Sequence, residues 1–211
     1  MARRKKEDRV VHQIRISEIA AKLFSERGID NTTMDQIAIE AGYSKATLYV
    51  YFKNKEDIVG FLSYIGLKKL KEHIQNAINQ QNDLERIFMD ICFSLADYQS
   101  QYPDFFEKSI NGISFVTDTD SDNYYYLSYL EGEEINKLVF ELLERGCECG
   151  KLKESQDLLE LTFQIWGMIS GVIMIFANKE DYLTKKSGYS KKQFLESGFK
   201  RIYSTIKKRN E

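Results

Sequence analysis

The segment 42–44, Gly-Tyr-Ser, separates two short helical patterns by only three residues, and this spacing constrains the fold more than any other feature. Before it, Thr33 and Gln36 form a capping-box pattern that predicts a helix ending at the glycine. After it, the serine is suited to cap a helix over about residues 44–52. Together with an earlier helix that ends at Gly28, these segments predict three helices whose last two form a helix-turn-helix.

The third of these helices has an unusual composition, because the run Thr-Leu-Tyr-Val-Tyr-Phe at 47–52 favours a strand on propensity alone. We expect a helix because Leu48 and Phe52 lie four apart and can both face a core. The two outer faces then carry polar side chains, Lys45 and Tyr49 on one and Thr47 and Tyr51 on the other. Hydroxyl and ammonium groups suit phosphate oxygens, and a short helix fits a major groove about 12 Å wide.

The longer constellation resembles the DNA-binding segment of the TetR family of bacterial regulators over about residues 9–60. That family combines Phe-x-x-x-Gly, Thr-Thr, Ile-Ala and Gly-x-Ser-Lys-x-x-Leu-Tyr-x-Tyr/His-Phe-x-x-Lys-Glu. This chain supplies Phe24 and Gly28, Thr32-Thr33, Ile37-Ala38, Gly42, Ser44-Lys45, Leu48-Tyr49, Tyr51-Phe52 and Lys55-Glu56. It departs from the family at Ala46, where glycine is frequent, and at Val50, where a polar or aromatic residue is frequent.

The resemblance implies two groups of DNA-binding residues. Residues expected to hold the phosphate backbone are Thr33, Tyr43, Tyr49, Tyr51 and Lys55. Residues expected to approach the bases, at the start of the recognition helix, are Ser44, Lys45, Ala46 and Thr47. Because Ala46 and Val50 differ from the family pattern, the operator sequence cannot be taken from a relative.

Charge is distributed unevenly along the chain. Residues 1–55 carry 11 Lys and Arg against 7 Asp and Glu, whereas residues 56–211 carry 19 against 25. A basic first quarter is consistent with an end that faces nucleic acid. The basic tail at residues 3–6 either adds a DNA contact or is a solvated terminus.

The remaining sequence also reads as helical, with a single proline and long segments of helical periodicity. We therefore predict an all-α protein of about nine helices, which agrees with the resemblance. Residues 1–55 are predicted to form the helix-turn-helix DNA-binding domain. Residues 56–211 are predicted to form a larger helical domain for effector binding and dimerisation.

Two sets of residues in the larger domain have predicted roles. The family implies a homodimer through the last two helices, and mid-helix glycines allow close helix packing; the predicted interface is Gly167, Gly171, Phe194, Leu195, Gly198, Ile202 and Ile206.

The family also implies a small-molecule site, and apolar pockets with a few polar groups suit one. An aromatic-rich group predicts a hydrophobic effector; its members are Phe88, Cys92, Tyr98, Tyr102, Phe106, Tyr124, Tyr125, Tyr129, Phe163 and Trp166.

Other classes of protein lack support in the sequence. The chain has two histidines and no nucleophile elbow, phosphate-binding glycine loop or His-Glu-x-x-His pattern, so we expect neither an enzyme nor a cofactor. Three cysteines at irregular spacing predict neither disulfides nor a zinc site. The uncharged apolar run at 161–178 is expected to be a buried helix rather than a membrane span. A cytoplasmic location follows from these expectations, since the start of the chain lacks a secretory signal.

The resulting prediction is a sequence-specific transcriptional regulator, a repressor released by a small hydrophobic effector, acting as a homodimer on a roughly palindromic operator. One alternative is a DNA-binding architectural or cell-division protein of the same fold without an effector. Another is a helical ligand carrier that has lost DNA binding, against which Lys45, Tyr49 and Lys55 argue.

Overall fold

The computed structural model describes residues 8–111, 123–154 and 157–208. Within these ranges the chain forms nine α-helices, so the prediction of an all-α fold is confirmed. Their bounds are α1 Arg9–Arg27, α2 Met34–Ala41, α3 Lys45–Tyr51, α4 Lys55–Gln80, α5 Leu84–Gln101, α6 Pro103–Asn111, α7 Tyr124–Glu148, α8 Leu158–Ser187 and α9 Lys191–Ile206.

The described residues divide into two compact units. The first contains those within 8–65 and 123–128, and the second contains the rest, so α4 and α7 each contribute to both units. The boundary predicted at residue 55 separates a DNA-binding domain from an effector-binding domain and differs from the division into compact units, which falls at residue 65. The functional boundary stays a prediction.

The first unit is built around one apolar side of each of its first three helices. Its core consists of Ile16, Ala20 and Phe24 from α1, Ile37 and Ala38 from α2, and Leu48 and Phe52 at α3, all 5% exposed or less. Gly28 and Gly42 end α1 and α2 with φ of 82° and 74°, a backbone conformation that favours glycine. Both glycines therefore terminate helices where the sequence predicted.

Side-chain caps determine where α2 and α3 begin. The Thr33 amide donates to Gln36 Oε1 at 2.9 Å and the Gln36 amide donates to Thr33 Oγ1 at 3.3 Å, which is the predicted capping box. Ser44 Oγ accepts from the Thr47 amide at 3.1 Å and caps α3. The cap and the burial of Leu48 therefore outweigh the strand-like composition of α3.

The beginning of α7 packs within the first unit. The Tyr124 ring lies 5.0 Å from the Phe61 ring in an edge-on arrangement and 6.3 Å from the Tyr64 ring in a stacked one. A Cβ at Gly60 would lie 3.1 Å from Tyr124 Cβ, so the glycine permits this close approach. Tyr124 thus belongs to this core, not to the effector group in which the sequence placed it.

The second unit places α5 against α8 and α9. Two aromatic pairs join α5 to α9, with Phe93 5.4 Å from Phe199 and Phe88 5.3 Å from Tyr203 between ring centroids. The chain from 151 to 153 runs alongside 206 to 208, where Lys153 donates its amide to the Ile206 carbonyl at 2.9 Å. Leu152, only 1% exposed, fills the space above Gly146.

Helix α8 differs from its prediction in length and in burial. Apolar periodicity ends near residue 177, yet the helix continues through polar residues to Ser187, with a kink at Lys179. By length and composition α8 could cross a membrane, and 28% of its apolar window is buried inside the protein. The expectation of a buried helix therefore holds for one side of α8 only.

Candidate nucleic-acid interface

Helix α3 turns one side to the core and the other to solvent. Leu48 is fully buried, whereas Tyr49 is 46% exposed and Val50 is 64% exposed. Lys45 and Ala46 are also exposed. Four of the seven residues of α3 are therefore available to a partner, as a recognition helix requires.

The two hydroxyl groups at the start of α3 are engaged with each other. Ser44 Oγ lies 2.7 Å from Thr47 Oγ1 while also capping the helix. Ser44 is exposed and Thr47 is half-buried. The pair therefore has a structural role at the N-terminus of α3, and any base contact by these hydroxyls would be made from this fixed geometry.

Lys45 is held by a neighbouring carboxylate that the sequence prediction did not include. Its ammonium lies 2.8 Å from Asp35 Oδ1, and both side chains are more than half exposed. The hydrogen bond that Lys45 donates to Asp35, and then the negative charge of Asp35, raise the pKa of Lys45. Asp35 therefore lowers the net positive charge that Lys45 contributes to this surface.

Tyr43 and Tyr51 form an aromatic cluster with a histidine from α1. The Tyr51 ring stacks on His12 at 5.0 Å, and Tyr43 Oη lies 2.7 Å from His12 Nδ1. Arg15 donates to the same hydroxyl at 3.4 Å. The cluster places a guanidinium and an imidazole beside two tyrosines predicted to hold phosphates. The sequence did not identify His12 or Arg15, because helical spacing within α1 does not tell which residues meet α3.

Lys55 has a different role from the predicted phosphate contact. Its ammonium donates to the carbonyls of Ile29 at 2.5 Å and Thr32 at 3.0 Å, with a longer contact to Asp30 at 3.4 Å. These carbonyls belong to the turn between α1 and α2. In this structure the Lys55 side chain is directed into the protein and holds this turn, and its contact with DNA phosphate stays a prediction. Thr33, also predicted to hold phosphate, is exposed, with its hydroxyl in the capping box.

Two side chains of α1 donate hydrogen bonds to backbone carbonyls at the C-terminal end of α3. Arg9 donates to the Val50 carbonyl at 3.2 Å, and Gln13 donates to the Tyr51 carbonyl at 3.3 Å. Helix ends leave carbonyls without helical partners, so these bonds satisfy two of them. They connect α1 directly to the helix predicted to read DNA.

Three of the residues predicted to hold an effector pack against one another. The centroid of the Tyr98 ring lies 5.5 Å from that of Tyr102 and 6.3 Å from that of Phe106. Phe88 contacts Tyr203, and Cys92 is fully buried, which raises the pKa of its thiol. Others of the set lie elsewhere or are partly exposed: Tyr125 in the first unit, Phe163 at 56% exposed on α8, and Tyr129 and Trp166 half-buried.

One surface depression of the described structure lies away from the residues predicted to hold an effector. A surface depression of about 620 Å³ is lined by residues 177–182 of α8 and includes none of the predicted side chains. Tyr98 and its neighbours instead pack over Gly66, where an added Cβ would lie 2.7 Å from Tyr98 Cε2. The effector site therefore stays a prediction.

The residues predicted to form a dimer interface fall into two classes. Gly167 and Gly171 are exposed, and a Cβ at either would meet no atom within 4 Å. Gly198, by contrast, packs against Val172 of the same chain, where a Cβ would lie 2.7 Å from Cγ1. The remaining members are covered within the chain to different degrees: Leu195, Ile202 and Ile206 are at most 6% exposed, and Phe194 is half-buried against Phe176.

Comparison with known proteins identifies the helix-turn-helix region. Residues 16–60 match the family described as bacterial regulatory proteins, tetR family. An HTH-type transcriptional regulator of Staphylococcus aureus (strain bovine RF122 / ET3-1) is 45% identical over 53 residues, which is 25% of this chain and 29% of that protein. A second, from strain USA300, is 52% identical over 44 residues, 21% of this chain and 24% of that protein. The matched region thus spans less than a third of the length of these curated relatives.

Solved structures match over more of the chain. The TetR family transcriptional regulator PfmR from Thermus thermophilus is 28% identical over 77% of this chain and 86% of its own, with a TM-score of 0.61. The transcriptional regulator FadR from Bacillus subtilis, solved in complex with stearoyl-CoA, has a TM-score of 0.70 at 18% identity, covering 92% of this chain and 98% of its own. The resemblance predicted from the helix-turn-helix residues is confirmed.

Proposed function

We propose that this chain, a transcriptional regulator that belongs to the TetR family through its helix-turn-helix domain, represses transcription until a small hydrophobic effector releases it from DNA. The observation that carries the proposal is the geometry of α3, a capped helix whose Leu48 side is buried and whose opposite side is exposed. A helix fixed in this way can enter a major groove without rearrangement. Repression is favoured over activation because occupying a promoter requires no contact with polymerase.

Several cationic and hydroxyl groups surround the exposed side of α3 and suit phosphate oxygens. Lys45 and Tyr49 lie on the helix itself, and Arg15 lies beside Tyr43. Lys53 follows α3 and is exposed. Phosphate contacts of this kind set register and supply salt-dependent affinity, whereas base contacts set sequence.

An effector site in the second unit is supported by one polar atom. The indole N–H of Trp166 is buried and has no hydrogen-bond acceptor within the part of the chain that the structure describes. Leaving a buried donor unpaired costs about 1–3 kcal/mol, which an acceptor on a bound guest would recover. The complex of FadR from Bacillus subtilis with stearoyl-CoA supports a guest with a long apolar chain.

Dimerisation is supported by a continuous exposed ridge on α8. Residues four apart along the helix are apolar or glycine and exposed: Leu159, Phe163, Gly167, Gly171 and Ile175. Ridges of this spacing pack into the grooves of a second helix, and the glycines allow close approach. We therefore assign the dimer interface to this ridge. Two-fold symmetry would then match a roughly palindromic operator.

Release by an effector follows from linkage between the two binding events. An effector that binds one dimer geometry more tightly shifts the population toward that geometry. A coupling free energy of about 1–3 kcal/mol lowers DNA affinity by roughly 5-fold to 150-fold. The protein would carry out this function in the cytoplasm, where its DNA is located.

The effector hypothesis can be tested by fluorescence anisotropy on a duplex taken from upstream of the protein's own gene. Stearoyl-CoA and stearate serve as long-chain probes, with coenzyme A as the control that lacks the chain. We expect the acyl probes to weaken DNA binding at least fivefold and coenzyme A to have no effect. Trp166→Phe should reduce the response to the probe without changing DNA affinity in its absence. Specific DNA binding that no acyl probe alters would contradict an effector of this class.

A further inference from the structure

The side of α3 that lies opposite the core is apolar. Each residue of an α-helix is rotated by about 100° from the previous one, so positions two before and two after Leu48 lie within about 20° of the opposite side. These positions are Ala46 and Val50, and both are exposed, Val50 at 64%. The outermost surface of the recognition helix therefore has no hydrogen-bonding side chain.

The polar side chains of α3 lie on the flanks of this surface, and three of the four have a partner within the first unit. Lys45 pairs with Asp35, Thr47 bonds Ser44, and Tyr51 stacks on His12. In a major groove, flanking groups face the phosphate walls while the outermost side chains face the base edges. Ala46 and Val50 are thus the side chains best placed to meet the bases.

An apolar side chain restricts which base it can face. Covering a polar base edge with Val50 removes the water from a donor or acceptor and offers no replacement bond, which is unfavourable. Thymine is the exception among the four bases, because its C5-methyl group presents apolar surface in the major groove. Burial of a methyl group against apolar carbon is favourable by about fourfold in affinity.

We infer that Ala46 and Val50 are specificity-determining residues that read thymine methyl groups in the operator. This inference rests on the proposed DNA-binding function and adds the base class that the function leaves open. Each half-site should contain an A·T pair, with its thymine methyl directed at α3, at one or two fixed positions. The two residues that depart from the family pattern, Ala46 and Val50, would then set the preference for thymine.

The test begins with a duplex selected from a randomised pool by binding to the full-length protein. Individual thymines in the selected duplex are then replaced by deoxyuridine, which removes only the methyl group. We expect one or two positions per half-site at which the replacement weakens binding about fourfold. At a position read by Val50, the same replacement should have no effect on Val50→Ala.

Two features of this comparison between thymine and deoxyuridine, and between wild type and Val50→Ala, make its result specific to Val50. Val50 is exposed and alanine has the higher helix propensity, so Val50→Ala retains the fold, which circular dichroism can verify. Ile39→Ala is the matched control, since Ile39 is also exposed, at 76%, but lies on α2. The loss of affinity caused by deoxyuridine should persist in Ile39→Ala, because that substitution leaves the α3 side chains unchanged.

The outcomes separate the inference from the function on which it rests. Enrichment of a sequence whose thymines all tolerate deoxyuridine would contradict the inference alone. An equal uracil penalty in wild type and Val50→Ala at every position would assign the methyl contact to another residue and contradict it for Val50. A pool that enriches no sequence would contradict both the proposed function and the inference.

Discussion

Gln13 of α1 donates a hydrogen bond from Nε2 to Tyr124 Oη at the start of α7, at 2.7 Å. The same Nε2 donates to the Tyr51 carbonyl at the end of α3. Gln13 is 4% exposed, so these bonds lie within the first unit and away from bulk water. One amide group thus joins the first residue of α7 to the last residue of the recognition helix.

Tyr124→Phe should lower the free energy of unfolding by about 1 kcal/mol, the usual net contribution of one hydrogen bond. The ring and its packing against Phe61 are kept, so the loss reports the hydroxyl group. Tyr125→Phe is the control, because that side chain is 42% exposed. Chemical denaturation measures both; equal stability of the two variants would contradict the role of the Gln13 bond.

Lys55→Ala should destabilise the protein by about 2 kcal/mol, since it removes charged hydrogen bonds to the turn between α1 and α2. The salt dependence of DNA binding by the folded variant should not change, because the ammonium is directed at carbonyls. Lys53→Ala is the matched control, with unchanged stability and a slope of log K against log salt that is about one unit smaller. The reverse pattern would restore Lys55 as the phosphate contact.

Asp35→Asn should strengthen binding to all DNA sequences and steepen the salt slope by about one unit, because Lys45 becomes available to a phosphate. Glu40→Gln removes one negative charge from the same helix without touching Lys45, and it should change the slope less. Anisotropy titrations across a salt series measure both variants. Identical slopes for the two would show that general charge, not the ion pair, determines affinity.

Phe163→Arg should weaken self-association, because it places a charge on the exposed α8 ridge. Tyr189→Arg is a close control, since Tyr189 is an aromatic residue of similar exposure, 52% against 56%, and follows the end of α8. Sedimentation velocity at micromolar concentration is the measurement. A wild-type monomer, or a Phe163→Arg variant that remains dimeric, would contradict the proposed interface.

The parts of the fold that the sequence predicted are those fixed by local chemistry. Thr33 with Gln36 set the start of α2, and Gly28 and Gly42 set two helix ends, all through groups within a few residues. The sequence could not give the role of Lys55, because its acceptors lie 23 to 26 residues away and form a site only after folding.

In the candidate site, too, features set by nearby residues could be predicted from the sequence, whereas features set by contacts between helices could not. The exposed side of α3 follows from the spacing of Leu48, but the pairing of Lys45 with Asp35 depends on how α2 meets α3. On α8, hydrophobicity alone could not separate Ile173, which is 2% exposed, from Ile175, which is 49% exposed. That distinction depends on which side of α8 faces the rest of its unit.

The most direct test of sequence-specific binding by α3 is fluorescence anisotropy of wild type and Tyr49→Ala at physiological salt. The wild-type protein is titrated onto its gene's upstream duplex and onto a scrambled duplex of the same composition. We expect tight binding to the upstream duplex only, and its loss in Tyr49→Ala, whose exposed side chain lies outside the core. Equal affinity for both duplexes would contradict a sequence-specific repressor and favour an architectural DNA-binding role.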